Sequence, residues 1–238
     1  MIPWLNKLNF FTNSTKKTVF AESPEPNGVS KDYFFRMMSP QASKLAQSFN
    51  AEETQAIHKL LDEVKGIEKM NFVVVGAGTL WYLRESFHKV KRYVEVDPLA
   101  DLYLNNQFKF LIEQFSNISL IQKRFQNIDK TELPKGNSVY AFIFNILSYI
   151  EHPIKNINRL LKPGDVLFIS SWRQTKEAKK VRSQYFNYLN AFEKEAIIDP
   201  EKTTGLCYLK HFPFERLKHY KSHKLIHGKI TDILVIYT

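Results

Sequence analysis

Two glycines and a carboxylate are the residues of this chain whose spacing points most directly to chemistry. Gly76 and Gly78 follow four consecutive apolar residues, Phe72 to Val75, a run typical of a strand buried on both faces. Glycine lets the backbone turn sharply and approach a ligand closely, and the residues after this turn favour a helix. Glu95 lies near the end of the next predicted strand, about twenty residues further on, where a carboxylate can accept hydrogen bonds from both hydroxyls of a ribose. This spacing predicts a binding site for a cofactor that contains adenosine.

The residues around this turn refine the prediction. A nicotinamide-dinucleotide fingerprint has a third glycine that allows close packing of helix on strand, and Trp81 occupies the equivalent position here. The sequence therefore argues against a plain dinucleotide site. Ala77 and Thr79 belong to the same turn, so they are also cofactor-binding candidates. Asp97 is a further candidate, with the alternative that it caps the next helix, whose first residue would be Pro98.

Three further segments follow in a fixed order. An apolar stretch over 139–145 predicts a strand, and a short helix follows from Pro153. The turn Leu161-Lys-Pro-Gly164 then precedes another apolar strand. Together with the glycine turn, this arrangement resembles the class I S-adenosylmethionine-dependent methyltransferases, and the resemblance runs from about Asn71 to Trp172. It implies S-adenosylmethionine as the cofactor and S-adenosylhomocysteine as the product.

Two positions depart from the pattern of that family. Val74 stands where the family usually has an acidic residue that helps to anchor the methionine end of the cofactor. The usual acidic residue near the adenine, after the third predicted strand, is also absent, and Arg124 and Phe125 are the cofactor-binding candidates in its place. The pair Glu95 and Asp97 also resembles spermidine synthases, which share the fold and transfer an aminopropyl group. The group transferred therefore stays open between methyl, aminopropyl and aminobutyryl.

The remaining site candidates follow the fourth predicted strand or lie near the N-terminus. Asn145 ends that strand, at the edge where open α/β sheets bind their ligands, so its amide is a cofactor-binding candidate. Tyr149 and His152 are the catalytic candidates, because a tyrosine or histidine there could orient or deprotonate an acceptor. The alternative for His152 is a structural position before the helix, and for Trp172 it is closure of the core. Candidates for binding the acceptor are Tyr33, Arg36, Tyr149 and Trp172.

The pattern along the chain predicts three parts. It predicts an irregular arm for residues 1–30, a helical cap for residues 31–68 and a transferase domain for residues 69–238. In the cap, Asn50 to Glu53 predict a capping box at a helix start, and Gly66 predicts the helix end. In the resembled family, such helices pack beside the cofactor; the alternative is that they only cover the edge of the sheet.

The expected fold is α/β, because predicted strands alternate with predicted helices. It is a Rossmann-like three-layer sandwich with a mostly parallel, seven-stranded sheet, an antiparallel C-terminal hairpin and a helical N-terminal extension. Predicted strands cover 71–75, 92–96, 118–121, 139–145, 165–171, 224–230 and 233–237, and predicted helices cover 79–88, 98–115, 153–161 and 176–196.

Composition limits the class of partner. The 238 residues carry a formal net charge of +10 and a single cysteine, Cys207, which excludes an internal disulfide and gives no metal cluster. No apolar run approaches the roughly 18–20 residues that span a bilayer, and the first residues lack the pattern of a secretory signal. We therefore expect a cytoplasmic protein with no membrane partner. The positive charge suits RNA, but we find no RNA-binding module and no aromatic platform for unpaired bases.

The favoured hypothesis is an S-adenosylmethionine-dependent methyltransferase with a small-molecule acceptor and no metal. Methyl transfer needs no covalent enzyme residue, so the absence of an evident nucleophile does not count against it. The alternatives are an RNA methyltransferase, an aminopropyl- or aminobutyryl-type transferase on the same fold, and a non-catalytic S-adenosylmethionine-binding protein. The last of these stays open because the acidic residues expected at Val74 and Arg124 are missing. The sequence leaves the acceptor and the oligomeric state open.

Overall fold

The structure is a computed structural model, and it describes residues 36–37, 39–76, 86–98, 112–150, 152–189, 214–217, 220 and 222–238. The strands in this part are β1 (Asn71–Val75), β2 (Arg92–Val96), β3 (Ile118–Ile121), β4 (Ser138–Phe142), β5 (Val166–Trp172), β6 (Ser222–His227) and β7 (Thr231–Tyr237). The α-helices are α1 (Pro40–Leu45), α2 (Gln47–Glu63), α3 (Pro153–Leu160) and α4 (Lys176–Tyr188). Short 3₁₀ helices cover Ile67–Lys69, Phe125–Asn127, Lys130–Glu132, Ile146–Tyr149 and Phe214–Leu217.

The strands form one seven-stranded sheet in the order β3-β2-β1-β4-β5-β7-β6. The first five strands are parallel, whereas β7 runs antiparallel to both β5 and β6. The predicted fold class, with its parallel sheet and antiparallel C-terminal hairpin, is confirmed. The chain builds outward from β1 to β3 on one side and then returns to place β4 on the other side of β1. The crevice at the carboxyl ends of β1 and β4 is therefore the topological switch point, where open α/β sheets bind ligands.

The apolar runs form strands because both faces of the sheet are covered. Side chains alternate between the faces along each strand, so Val73 and Val75 pack in one core while Phe72 and Val74 pack in the other. Helix α3 contributes Ile154, Ile157 and Leu160 to the first core. Helix α2 contributes Ile57, Leu60 and Leu61 to the second core. These helices on opposite faces make the three layers of the sandwich.

A third core lies between the N-terminal helices, the end of β5 and α4. Trp172 is the last residue of β5, and its ring lies 4.5 Å from the ring of Phe49 in α2, measured between centroids. We call this group the aromatic cluster, and it contains Phe49, Phe144, Trp172, Tyr185 and Phe186.

The predicted capping box at Asn50 and Glu53 is wrong. Helix α2 begins at Gln47, directly after α1, so Asn50 lies inside the helix. Its carbonyl oxygen accepts a hydrogen bond from Thr54 Oγ1 at 2.7 Å, and the Glu53 carboxylate bonds to residues far away in the chain. The helix ends at Glu63, and Gly66 follows in the left-handed conformation with φ of 74°. The predicted stop therefore lies just beyond the observed end.

Two predicted strand boundaries also differ from the structure. Strand β4 ends at Phe142 rather than at residue 145, because Phe144 and Asn145 have left-handed backbone conformations. The hairpin turn covers residues 228–230, whereas the sequence predicted it at Thr231 and Asp232. The N–H of Gly228 donates to the carbonyl of Thr231 at 2.8 Å, which closes this turn.

Helix α4 begins where predicted, since the Thr175 side chain accepts a hydrogen bond from the N–H of Ala178 at 3.2 Å. The predicted continuation of α4 to residue 196, and most of the helices predicted over 79–88 and 98–115, lie outside the described residues. In the part of the chain that the structure describes, no helix has the length and hydropathy needed to cross a membrane.

Candidate functional site

The site is built around the first residue after β1. Gly76 has a φ of 72°, and its N–H donates to the carbonyl of Val96 at 2.9 Å. A β-carbon placed on Gly76 would come within 2.5 Å of Cδ1 of Ile146. Both the positive φ and the close approach require glycine. The other predicted residues of this turn, Ala77, Gly78 and Thr79, lie outside the described residues.

The segment after β4 supplies the other wall of the crevice. Phe144 and Asn145 have φ values of 48° and 59°, and consecutive left-handed residues other than glycine are uncommon. The N–H of Ile146 donates to the carbonyl of Ile143 at 2.9 Å, which closes a turn that we call the β4 turn, residues 143–146. Strained backbone of this kind is concentrated at functional sites. The β4 turn places Ile146 directly against Gly76.

Asn145, a predicted cofactor-binding residue, is held by the neighbouring strand. Its Oδ1 accepts a hydrogen bond from the hydroxyl of Ser171 in β5 at 2.9 Å. The residue is only 2% exposed, so its amide has a defined orientation inside the sheet edge. The structure thus brings Asn145 and Gly76 to the same crevice, as the sequence predicts for the carboxyl ends of β4 and β1.

Glu53 is a residue of this region that the sequence interpretation missed. Its Oε1 accepts hydrogen bonds from the N–H of Phe144 at 2.7 Å and from the hydroxyl of Ser170. The residue is 0% exposed. A signal was present, because Glu53 falls four residues before Ile57, on the buried face of α2. A carboxylate on such a face must find hydrogen-bond donors in the interior.

The two acidic candidates of β2 occupy different levels of the sheet. Glu95 pairs with Val74, inside the strand, and its Oε1 accepts a hydrogen bond from the Tyr93 hydroxyl at 3.1 Å. Asp97 lies one residue beyond the strand, and its N–H donates to the carbonyl of Ile121 at 3.2 Å. Since Gly76 bonds to the residue before Asp97, the outer carboxylate is level with the glycine turn. Both side chains are largely buried, Glu95 at 3% and Asp97 at 8% exposure.

The candidates after β3 lie at the side of the same edge. Arg124 is half-buried and stands at the N-terminal end of the 3₁₀ helix Phe125–Asn127. The Phe125 ring is buried in the first core, edge-on to Phe142 with 4.9 Å between ring centroids. Contact of either residue with a cofactor stays a prediction.

The catalytic candidates lie just beyond the β4 turn. Tyr149 ends the 3₁₀ helix Ile146–Tyr149, and its side chain lies outside the described part of the structure. His152 stands immediately before α3 with a left-handed φ of 44°, and its carbonyl accepts the N–H of Asn156 at 3.0 Å. This position agrees with the structural alternative for His152. A role in proton transfer stays a prediction for both residues.

The acceptor candidates are spread over the N-terminal segment and β5. Arg36 is half-buried, and its carbonyl accepts the N–H of Ser39 at 3.0 Å, whereas Tyr33 lies outside the described residues. Trp172 is 1% exposed and packs inside the aromatic cluster. That burial agrees with the alternative in which Trp172 closes the core, and its contact with an acceptor stays a prediction.

The turn Leu161-Lys-Pro-Gly164 lies at the opposite edge of the sheet and is structural. Asp165 follows it and accepts hydrogen bonds from the N–H groups of Ser138 at 2.8 Å and Lys162 at 3.0 Å, which joins the starts of β4 and β5. Burial raises the pKa of the Asp165 carboxyl above its ordinary value, although these hydrogen bonds oppose the shift. Burial and the nearby Asp165 carboxylate raise the pKa of Tyr140 to about 12.

In the described ranges, no group of three histidine, cysteine or acidic residues is placed to bind a metal ion. The candidate site therefore consists of a glycine turn, two buried carboxylates at the end of β2, and the strained β4 turn.

No family profile and no curated protein matches the chain. Solved structures do match. The CMeT domain of the citrinin polyketide synthase has 11% identity and a TM-score of 0.56, with 87% of this chain and 59% of that chain covered. A protein from Thermobifida fusca YX with a provisional methyltransferase name has 12% identity and a TM-score of 0.55, over 94% of this chain and 99% of that chain. The chain has the class I methyltransferase fold.

A further structure with the class I methyltransferase fold, the CurJ carbon methyltransferase, has 11% identity and a TM-score of 0.50. It covers 79% of this chain, and this chain spans 53% of its length. The chain therefore spans little more than half of two of the three structures, and at these identities the likeness shows the fold.

Proposed function

We propose that this protein is an S-adenosylmethionine-dependent methyltransferase that acts on a small-molecule acceptor. The observation that carries the proposal is the meeting of Gly76 and the β4 turn at the topological switch point. The class I methyltransferase fold supports the same conclusion, since its ligand edge is the edge where these residues lie.

The residues at this edge fit the proposed cofactor. In our proposal the turn that begins at Gly76 holds the amino-acid part, and the carboxylates Glu95 and Asp97 accept the ribose hydroxyls. The register supports a leading role for Asp97, because Asp97 lies beside Gly76 while Glu95 lies two residues earlier, within the strand. Arg124 and Phe125 flank the adenine end, and Asn145 lies between cofactor and acceptor.

Methyl transfer from S-adenosylmethionine needs no covalent intermediate with the enzyme. When bound, S-adenosylmethionine supplies an activated methyl group that an acceptor nitrogen or oxygen can displace in line. The residues of this chain would align the two reactants and exclude water, which supplies much of the rate in such reactions. Tyr149 or His152 would take the acceptor's proton where one is released.

A small-molecule acceptor is favoured over RNA by the state of the aromatic side chains near the site. Four rings of the aromatic cluster are buried, and the half-buried ring of Phe144 packs edge-on against three of them, so the cluster does not form a surface on which unpaired bases could stack. RNA stays the second candidate, because the exposed strand β6 carries His223, Lys224 and His227 at the sheet edge.

The proposal is tested first by calorimetry with S-adenosylmethionine, S-adenosylhomocysteine and NAD. We expect the two sulfur nucleosides to bind and NAD to bind more weakly or not at all; tighter binding of NAD would refute the proposal. Acceptor libraries are then screened for turnover, and the nucleoside product is identified by mass spectrometry. With S-adenosylmethionine as the donor, S-adenosylhomocysteine identifies methyl transfer and methylthioadenosine identifies transfer of an aminobutyryl-type group. Methylthioadenosine formed from decarboxylated S-adenosylmethionine, supplied as a separate donor, identifies aminopropyl transfer.

A further inference from the structure

Two adjacent carboxylates of helix α2 reach different parts of the ligand edge of the sheet. Glu53 accepts hydrogen bonds from Phe144 and Ser170, at the ends of β4 and β5. Glu52 accepts hydrogen bonds from the N–H groups of Lys229 at 3.0 Å and Thr231 at 3.0 Å, in the turn between β6 and β7. One residue thus holds the crevice wall, and its neighbour holds the C-terminal hairpin.

The β4 turn needs such a hold. Phe144 and Asn145 both adopt the left-handed conformation, which a bulky residue such as phenylalanine takes up only when its surroundings impose it. The N–H of Phe144 is fixed by Glu53, and the side chain of Asn145 is fixed by Ser171. The contact with Glu53 comes from outside the sheet and therefore couples the turn to α2.

Both the Phe144 N–H and the Ser170 hydroxyl donate to Oε1 of Glu53. A glutamine at this position keeps one acceptor oxygen, while it loses the charge and replaces the second oxygen by an NH₂ donor. A methionine keeps a similar volume and removes the acceptor, which leaves the N–H of the half-buried Phe144 without this partner.

We propose that Glu53 is a positioning residue of the cofactor site, which holds the β4 turn in its left-handed form and so places Ile146 against Gly76 and Asn145 beside Ser171. The inference rests on the proposed function and adds to it that helix α2 is part of the site rather than only a cover for the sheet. Glu53 acts through the β4 turn and not on the reacting atoms.

The test compares Glu53→Met, Glu53→Gln and the matched control Glu52→Met. Each variant is characterised by thermal melting, by calorimetry with S-adenosylhomocysteine, and by hydrogen exchange at the amides of residues 143–147. We expect Glu53→Met to weaken S-adenosylhomocysteine binding by about tenfold or more and to speed exchange at Phe144. Glu52→Met should lower the melting temperature while affinity stays within about twofold of wild type.

Glu53→Gln separates the acceptor from the charge. It should keep affinity within about threefold of wild type, with exchange at Phe144 modestly faster because a neutral acceptor makes a weaker hydrogen bond. This variant also keeps the inference testable if Glu53→Met does not fold. If Glu53→Met does not fold, hydrogen exchange at Phe144 that is no faster in Glu53→Gln than in wild type would overturn the inference.

Two other results decide the matter. Equal losses of affinity in Glu53→Met and Glu52→Met would show that α2 merely stabilises the fold, and the inference fails. A wild-type protein that does not bind S-adenosylhomocysteine refutes the proposed function instead, and the role of Glu53 in holding the β4 turn is then decided by the exchange data alone.

Discussion

Ile146 lies directly over the α-carbon of Gly76, so close that a β-carbon there would come within 2.5 Å of its Cδ1 atom. The contact joins the turn after β1 to the turn after β4, the two chain segments that flank the topological switch point. Since Gly76 also has a φ of 72°, the position is restricted in two independent ways. The relation between these residues can therefore be dissected by mutation.

We expect Gly76→Ala to reduce the free energy of unfolding by about 2–4 kcal/mol, which combines the left-handed conformation with overpacking against Ile146. The double variant Gly76→Ala/Ile146→Ala should recover the overpacking part only. Urea denaturation of the single and double variants measures both contributions. If the two substitutions simply add, the steric contact has no energetic weight and backbone conformation alone requires the glycine.

The register of β2 leads to a ranking of the two carboxylates. We expect Asp97→Asn to weaken binding of S-adenosylhomocysteine more than Glu95→Gln does. The reason is that Asp97 lies beside Gly76, whereas Glu95 lies two residues earlier, within β2. Loss of one charged hydrogen bond corresponds to about 1.5–3 kcal/mol. Calorimetry measures both affinities, with Tyr93→Phe as the control that removes one hydrogen-bond donor to Glu95. The reverse order would assign the ribose to Glu95.

The local sequence predicts some elements well because their causes are local. Strands β1, β2 and β3 have the predicted bounds, since each is a short, mainly apolar run between turn residues. The end of β4 could not be placed in this way, because Ile143 and Phe144 continue the apolar pattern while the backbone has already left the strand.

Glu53 illustrates a different limit. Its position on the buried face of α2 follows from helical periodicity, but its partners Phe144 and Ser170 are 91 and 117 residues away in the chain. Contacts across such distances depend on the packing of α2 over the sheet, which the pattern of a single sequence does not contain. The local pattern at Asn50 instead suggested a cap, and tertiary packing overrode it.

The buried Asp165 carboxyl gives a prediction about pH. Burial raises its pKa in the folded state above the ordinary value of 3.8, so its contribution to stability is fully present below pH 3.8 and is lost as the pH rises through the folded-state pKa. We therefore expect the free energy of unfolding of wild type to rise, relative to that of Asp165→Asn, as the pH is lowered toward 4. Denaturant titrations of both proteins between about pH 7 and pH 4 measure it. A difference independent of pH would mean that burial does not shift the pKa of the Asp165 carboxyl.

Trp172 allows the core and the acceptor interpretations to be separated. Because its ring is buried against Phe49 in the aromatic cluster, we expect Trp172→Ala to cost about 3–5 kcal/mol of stability. Trp172→Phe should retain most of the fold. If Trp172 only closes the core, folded Trp172→Phe turns over the acceptor with an unchanged KM once an acceptor is known. A raised KM with normal stability would identify a wall of the acceptor pocket.

RNA binding is the remaining alternative, and it can be tested at the C-terminal lysines Lys218, Lys221 and Lys224. Lys224 lies on the exposed edge strand β6, and its Nζ is 3.5 Å from Oε2 of Glu63, so part of its charge is already compensated. We expect weak binding of tRNA or rRNA fragments that is lost at near-physiological salt. A true RNA enzyme would instead bind tightly, with a log–log salt slope of about −0.7 per phosphate neutralised on a single strand. Filter binding across a salt series decides this. Wild type is compared with Lys218/Lys221/Lys224→Ala and with Lys176/Lys179/Lys180→Ala, three lysines of α4 that serve as the charge-matched control. Tight binding that only the C-terminal triple variant abolishes would replace the small-molecule acceptor by RNA, because loss of charge alone would affect both variants equally.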